Sequence, residues 1–215
     1  MSENPTQKRT YNSTRRRQQA SQTRMAILEA ARKLFTERGY ASATIEAIAE
    51  EAGVSPDTIY AVFGNKPSIL RSLVQVTLVG DDRPVPLLER PYVQENIQAV
   101  DQRQLIRGFA RDIYQIMGRM SPMFRLLRGA ARADTDIAEM LNKLLAERLR
   151  NMSFLLDHLR RLGPLRELPI ENQANVTVWS LSSGEMYDLL IHDLGWGEEE
   201  YISWLSDALE RLLLP

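Results

Sequence analysis

The chain has 215 residues, 44% of them hydrophobic, with no cysteine and a formal charge of -1. That is enough for one sizeable core, or for a small domain beside a larger one, and it excludes a disulfide framework or a thiolate metal site. The opening MSENPTQKRTYNSTRRR is polar and basic, unlike a signal peptide, and no later run approaches membrane-spanning length. A cytoplasmic protein with no membrane partner is therefore expected.

The near-neutral total conceals an asymmetry. Residues 1–66 hold 10 Lys/Arg against 7 Asp/Glu, a balance of +3, whereas residues 67–215 hold 17 against 21, a balance of -4. Arg15, Arg16 and Arg17 form the densest basic run. Two readings are open for this end of the chain: a polyanion partner, or a solvated basic tail.

In chain order, residues 1–20 are expected to form a flexible basic arm. SQTRMAILEAARKLFTERG then sets Met25, Leu28, Ala31, Leu34 and Phe35 on one face and stops at Gly39, which predicts an amphipathic helix. Thr44 to Leu70, TIEAIAEEAGVSPDTIYAVFGNKPSIL, carries two further stripes: Ile45, Ile48 and Ala49, then Ile59, Val62 and Phe63. Gly53 supplies the reversal between them. Thr44 is an N-cap residue, and Ser55, Pro56 and Asp57 place a cap, an N1 proline and an early acid at the start of the second stripe. Periodicity alone leaves two possibilities, a helix-turn-helix or an ordinary helical hairpin.

Lys66, Pro67 and Ser68 open a fourth helix to Gly80, expected to link a domain at 21–66 to one at 67–215. Pro84, Pro86 and Pro91 break residues 81–100 into a connector with at most a short helical turn. Asp101 with Gln104 predicts a capped helix to about Gly118, and Ser121 with Pro122 predicts another to about Arg132. A long helix follows, capped by Asp134 or Thr135 and ending at Gly163; one helix is expected over Ile170 to Leu194 and a last one over Glu198 to Leu214. No strand pattern or internal repeat competes, so the fold class is all-α.

These residues resemble the TetR family of bacterial transcriptional regulators. The resemblance lies in Ala26 to Gly39 as a first helix and in Thr44, Ile48, Ala49, Ala52 to Ser55, Thr58 to Tyr60, Phe63, Lys66 and Leu70, which follow its pattern of T, IA, AGVS, T(L/I)Y, F, K and L. It implies a three-helix DNA-binding domain with a helix-turn-helix, and a C-terminal helical domain for effector binding and dimerisation. It also implies a homodimer that sets each third helix in the major groove of a double-stranded DNA operator, with a small molecule releasing the DNA. By this resemblance Thr44, Tyr60 and Lys66 match positions that bond phosphates. Ser55, Pro56, Asp57, Thr58 and Ala61 open the helix that reads base edges. Ala61 and Val62 depart from the larger aromatic or histidine common there, and Asp57 reads equally as a cytosine acceptor or as a helix N-terminal acid. Arg15, Arg16 and Arg17 fit an arm that follows phosphates or a narrow minor groove.

Soft and aromatic groups farther on are candidates for an effector pocket, the effector being apolar or aromatic: Phe109, Ile113, Met117, Met120, Phe124, Phe154, His158, Trp179 and Tyr187. Ordinary core is the competing reading of each. The last two helices carry more apolar surface than a thin monomer layer needs. The resemblance implies that such helices pair across a two-fold axis into a four-helix bundle, with Trp204, Leu205, Leu209 and Leu212 at the contact and Ser180, Ser183 and Gly184 allowing close approach; the alternative is an intramolecular core. With only His158 and His192 as histidines, and no HExxH, GxSxG or P-loop, no catalytic or metal site and no cofactor is expected. An activator or architectural DNA-binding protein without an effector is the second functional class, opposed by a C-terminal part larger than dimerisation requires.

Overall fold

Side-chain caps determine where the short helices of the N-terminal part begin. The computed structural model describes the backbone of residues 5–81, 83 and 85–215, and the side chains of all of these except 5–14 and 17. The chain divides into two compact units, one ending at Leu73 and one beginning at Val74.

In the first unit, α1 spans Pro5–Ser42 and leaves helical geometry at Gly39, with φ 76°. It begins well before the apolar stripe does, inside the stretch expected to be a flexible arm. Nothing between Thr6 and Arg38 is Gly or Pro, and the Arg, Gln and Ala residues there are good helix formers, so backbone propensity carries the helix past its apolar face. Helix α2 (Ile45–Ala52) starts where the Ala47 N–H donates to Thr44 Oγ1 at 3.1 Å, and it ends at Gly53, in the left-handed region at φ 66°. An L side chain there would be strained, which is why the tight reversal falls on glycine. Helix α3 (Pro56–Phe63) is capped by Ser55, whose Oγ accepts from the Thr58 N–H at 3.2 Å. Its packing rests on Ile59 and Phe63, each burying about 1.5–3 kcal/mol of apolar surface, while Val62 from the expected stripe is 38% exposed. Also buried in this unit are Ile27, Leu34 and Phe35 of α1, Ile48 of α2 and Leu70 of α4 (Lys66–Val79).

In the second unit the connector is more ordered than its prolines suggest. After a 3-10 turn at Leu87–Glu89, Pro91 sits at the first position of α5 (Pro91–Asn96), where a missing N–H costs nothing. The Arg90 side chain is buried and organises this segment, donating to both Asp81 carboxylate oxygens at 2.8 Å and to the Val85 and Arg83 carbonyls at 3.0 Å. Paired with Arg83 and Arg90, the Asp81 carboxyl is held well below the usual carboxylate range.

Helix α6 is one helix over Gln102–Ala130, not two meeting near Gly118–Ser121. Pro122 removes one backbone donor, but Met117, Met120, Ser121, Met123 and Phe124 are all buried around it, so packing overrides the local breaker. The Asp101 cap is present, its carboxylate accepting from the Gln104 N–H at 2.8 Å. Helix α7 (Thr135–Leu162) is capped by Asp134 and stops at Gly163. The single helix expected over Ile170 to Leu194 is broken. Helix α8 covers Gln173–Leu181, and α9 (Gly184–Tyr187) runs into a π-helical turn at Asp188–Asp193. The break falls at Ser182 and Ser183: Ser182 is buried and donates back to the Val178 carbonyl at 2.6 Å, while Ser183 caps the next turn. Helix α10 (Glu198–Leu213) closes the unit. Helix α6 lies at its centre, packed against α5, α7, α9 and α10. Among the described residues no helix is long and apolar enough to cross a membrane.

Candidate nucleic-acid interface and apolar cavity

The outward face of α3 runs from its cap at Ser55 to its second turn. Ser55, Pro56, Asp57, Tyr60 and Ala61 are exposed, with Tyr60 at 49%, whereas Ile59 and Phe63 turn inward. This follows from helix geometry, since two buried positions four residues apart leave the opposite face free. Ser55 and Thr58 hydroxyls lie 2.9 Å apart, and Thr58 is half-buried. Thr44 is exposed, and its Oγ1 accepts a backbone N–H, which leaves the hydroxyl proton free to donate outward. Arg24 stacks on the Phe63 ring at 4.7 Å. Arg15 and Arg16 are exposed on α1; the side chain of Arg17 lies outside the described residues.

Lys66 departs from the expectation of a phosphate-facing ammonium. Its Nζ donates to the carbonyls of Tyr40 at 2.9 Å and Ala43 at 3.1 Å, approaches that of Ala41 at 3.4 Å, and sits 4.4 Å from the centre of the Tyr40 ring. These carbonyls belong to the turn after Gly39, so the ammonium pins that turn, and with it the Thr44 cap, to the start of α4. Sequence pattern identifies the lysine but not the direction in which its long side chain folds.

The second unit holds a partly open cavity of about 130 Å³. Of the residues expected at a pocket, Phe109, Ile113, Met117, Phe124 and Phe154 line it. The other four do not. Met120 is fully buried core, and Tyr187 packs against Tyr114 and Tyr201 at 5.7 and 5.4 Å. His158 Nδ1 donates to the Phe154 carbonyl at 2.7 Å, which makes it a structural group. Trp179 stacks under Arg148, 5.3 Å from ring centre to guanidinium carbon. Helical periodicity places all four on apolar faces, yet only their neighbours decide whether a face borders a void or a side chain.

The connector and the polar groups of the wall are not among the residues expected from sequence. Leu87, Leu88, Val93 and Ile97 cover one side, and Asn96, Asp112, Glu147, Arg148 and Asn151 add polarity. A signal for Asp112 exists: Leu105, Phe109, Asp112, Ile113 and Ile116 share one helical stripe, so an acid interrupts an apolar face. Burial pushes its carboxyl up to about 6, against the lowering effects of the Asn96 hydrogen bond and nearby Arg111. Burial likewise lowers Arg148 to about 10.

Residues expected at a two-fold contact divide sharply. Leu205 and Leu209 are 0% exposed within the chain's own core, and Gly184 is buried against Phe124 and Ser121, so none of the three can meet a second copy. Their stripe on α10 faces α6, the intramolecular alternative. Trp204 is half-buried beside Trp196, and Ser183 is half-buried as a cap. Ser180 and Leu212 are exposed, and with Ile170 and Val176 they border a shallow apolar groove.

Residues 27–73 match the family described as "Bacterial regulatory proteins, tetR family". The chain is 26% identical over 139 residues to the HTH-type transcriptional regulator UidR of Escherichia coli (strain K12), covering 62% of this chain and 67% of that protein. Its fold is similar to that of the fatty acid degradation regulator FadR from Bacillus halodurans, with a TM-score of 0.68 and 20% identity over 87% of this chain and 94% of that one. It is also similar to the SmeT–triclosan complex, with a TM-score of 0.63 and 19% identity over 90% and 92%. The N-terminal match and the helix-turn-helix geometry agree: residues 27–73 form the helix-turn-helix domain of the TetR family of bacterial regulatory proteins, in a chain whose overall fold is similar to that of regulators of this family.

Proposed function

We propose that this regulator is a homodimeric repressor that sets the start of α3 in the major groove of a DNA operator and is released by a small apolar or aromatic molecule held in the cavity of the second unit. The observation that carries the DNA half is the outward face of α3. Asp57 and Ala61, one turn apart, stand on the solvent-facing side of a helix whose inner side is anchored by Ile59 and Phe63. Base edges are read by such exposed residues on the outward face of a recognition helix, with Ala61 suited to a thymine methyl and Asp57 to cytosine N4. Thr44 and Tyr60 supply hydroxyls for phosphate oxygens, and Arg15 to Arg17 supply charge along the backbone. Lys66 acts by positioning the Thr44 cap.

The effector half is supported by the cavity and by its relatives' chemistry, since SmeT forms a complex with triclosan. Coupling of 1 to 3 kcal/mol between the two sites changes operator affinity roughly 5- to 150-fold. A second copy fits the groove bordered by Ile170, Val176, Ser180 and Leu212. Half-sites about one helical turn apart, roughly 34 Å, suit a dimer of this kind.

The test is gel retardation of the DNA upstream of the protein's own gene, with random duplex as competitor. Specific retardation that Tyr60→Ala with Asp57→Ala abolishes supports the reading; retardation no stronger than that of competitor rejects it. Deleting residues 1–18 is expected to flatten the salt dependence by about 0.9 for each phosphate that the arm neutralises, and an unchanged slope removes the arm from the interface.

A further inference from the structure

We propose that the cavity takes an apolar organic cation, a protonated amine on a ring-sized body, with the Asp112 carboxylate as its counter-charge. This rests on the cavity being the effector site. Its volume of about 130 Å³ is close to the roughly 150 Å³ at which an apolar protein cavity holds benzene. Phe109, Ile113, Met117 and Phe124 give such a body an apolar seat.

Asp112 is placed by a dedicated arrangement. Asn96 of α5 donates from Nδ2 to Asp112 Oδ2 at 2.5 Å, and Asn96 fits there only because position 108, one turn earlier on α6, is glycine. A Cβ at Gly108 would stand 2.3 Å from Asn96 Oδ1. The amide orients the carboxylate without neutralising it. Among the described residues no base forms an ion pair with Asp112, and Arg111 beside it is exposed. Arg148, the one base lining the cavity among the described residues, is engaged elsewhere. Its Nη2 donates to the Trp179 carbonyl and to Ser182 Oγ, both at 2.7 Å. Glu147 adds a second acid at the wall, largely exposed.

A charge partly withdrawn from water among apolar groups without a counter-ion is costly, and the raised titration of this carboxyl reflects that cost. An ammonium brings the missing opposite charge as a charge-assisted hydrogen bond. An anionic ligand meets two acids and an arginine already bonded, and a neutral one leaves Asp112 uncompensated.

The experiment is calorimetric titration of the full chain at pH 7.5 with three matched probes: 3-phenylpropylamine, 3-phenylpropan-1-ol and 3-phenylpropionate. The amine is expected to bind roughly tenfold more tightly than the alcohol, and the carboxylate most weakly, which reads the charge-assisted bond without any variant. In Asp112→Asn the amine and the alcohol are expected to converge to within about threefold, with the alcohol unchanged. Equal binding of amine and alcohol to the native chain, strongest binding of the carboxylate, undiminished amine preference in Asp112→Asn, or no binding of any probe overturns the assignment. None of these touches the regulatory reading, whose separate measure is retardation of operator DNA.

Discussion

The two units place their polar groups in opposite ways. In the first, Ser55, Asp57, Tyr60 and Thr44 point to solvent from short capped helices, and the apolar side is closed by a few large residues. In the second, Asp112 and Arg148 are drawn inward among apolar walls. A surface that meets a polyanion works by presenting donors to water, where they cost little until a partner arrives. A cavity that selects a small molecule works by removing polar groups from water, where each one discriminates strongly.

The largest effects separate the units by their cores. Phe63→Ala is expected to remove about 3–5 kcal/mol from the first unit. Operator retardation should vanish while the amine probe still binds; hydrogen exchange confined to residues below 73 would confirm that the loss is local. Leu205→Glu, by contrast, forces an unpaired charge into the second unit and should cost more than about 4 kcal/mol, so circular dichroism should report unfolding. Val176→Glu with Leu212→Glu changes only exposed positions. It is expected to give a folded monomer by light scattering; a persistent dimer places the two-fold contact elsewhere.

A smaller effect tests the inward carboxylate. Because the Asp112 pKa is raised in the folded chain to about 6, the native state holds more protons than the unfolded state between the ordinary carboxylate range and that value. Stability therefore falls as pH rises through this window, and the penalty is complete above it. Asp112→Asn should accordingly be more stable than the native chain at pH 7.5, by about 1 to 2 kcal/mol once partial exposure is discounted, with no gain below pH of about 4. Thermal melts at the two pH values decide it. The smallest effect belongs to the outward caps: Ser55→Ala should cost about 1 kcal/mol, with equal loss at both pH values because no titrating group is involved.

Legibility follows the same division. Thr44, Gly53, Ser55 and Pro56 act on backbone groups within four residues of themselves, so their roles are visible in the chain, and α2 and α3 fall where the pattern places them, whereas α1 begins inside the stretch expected to be a flexible arm. The role of Lys66 is not visible in this way, because its stem can fold toward solvent or toward the carbonyls of Tyr40 and Ala43, 23 to 26 residues earlier. Pro122 resembles a boundary because local rules treat proline as a breaker, whereas α6 stays continuous within a ring of buried methionines and Phe124. Of the nine pocket candidates, five line the cavity and four do not, although both sets are soft or aromatic groups on helices.

Order, capping and the amphipathic stripes of the helices are properties of neighbouring residues, and the amino-acid sequence alone determined most of them, including the inward side of α3 at Ile59 and Phe63. Which stripe faces which could be settled only by the folded chain, because burial depends on contacts between residues far apart in sequence. Thus Leu205 and Leu209 became interior, Leu212 and Val176 stayed outside, and Gly108 admitted Asn96 to the carboxylate of Asp112. Each depends on close packing, in which a difference of one Cβ determines whether a polar group reaches its partner.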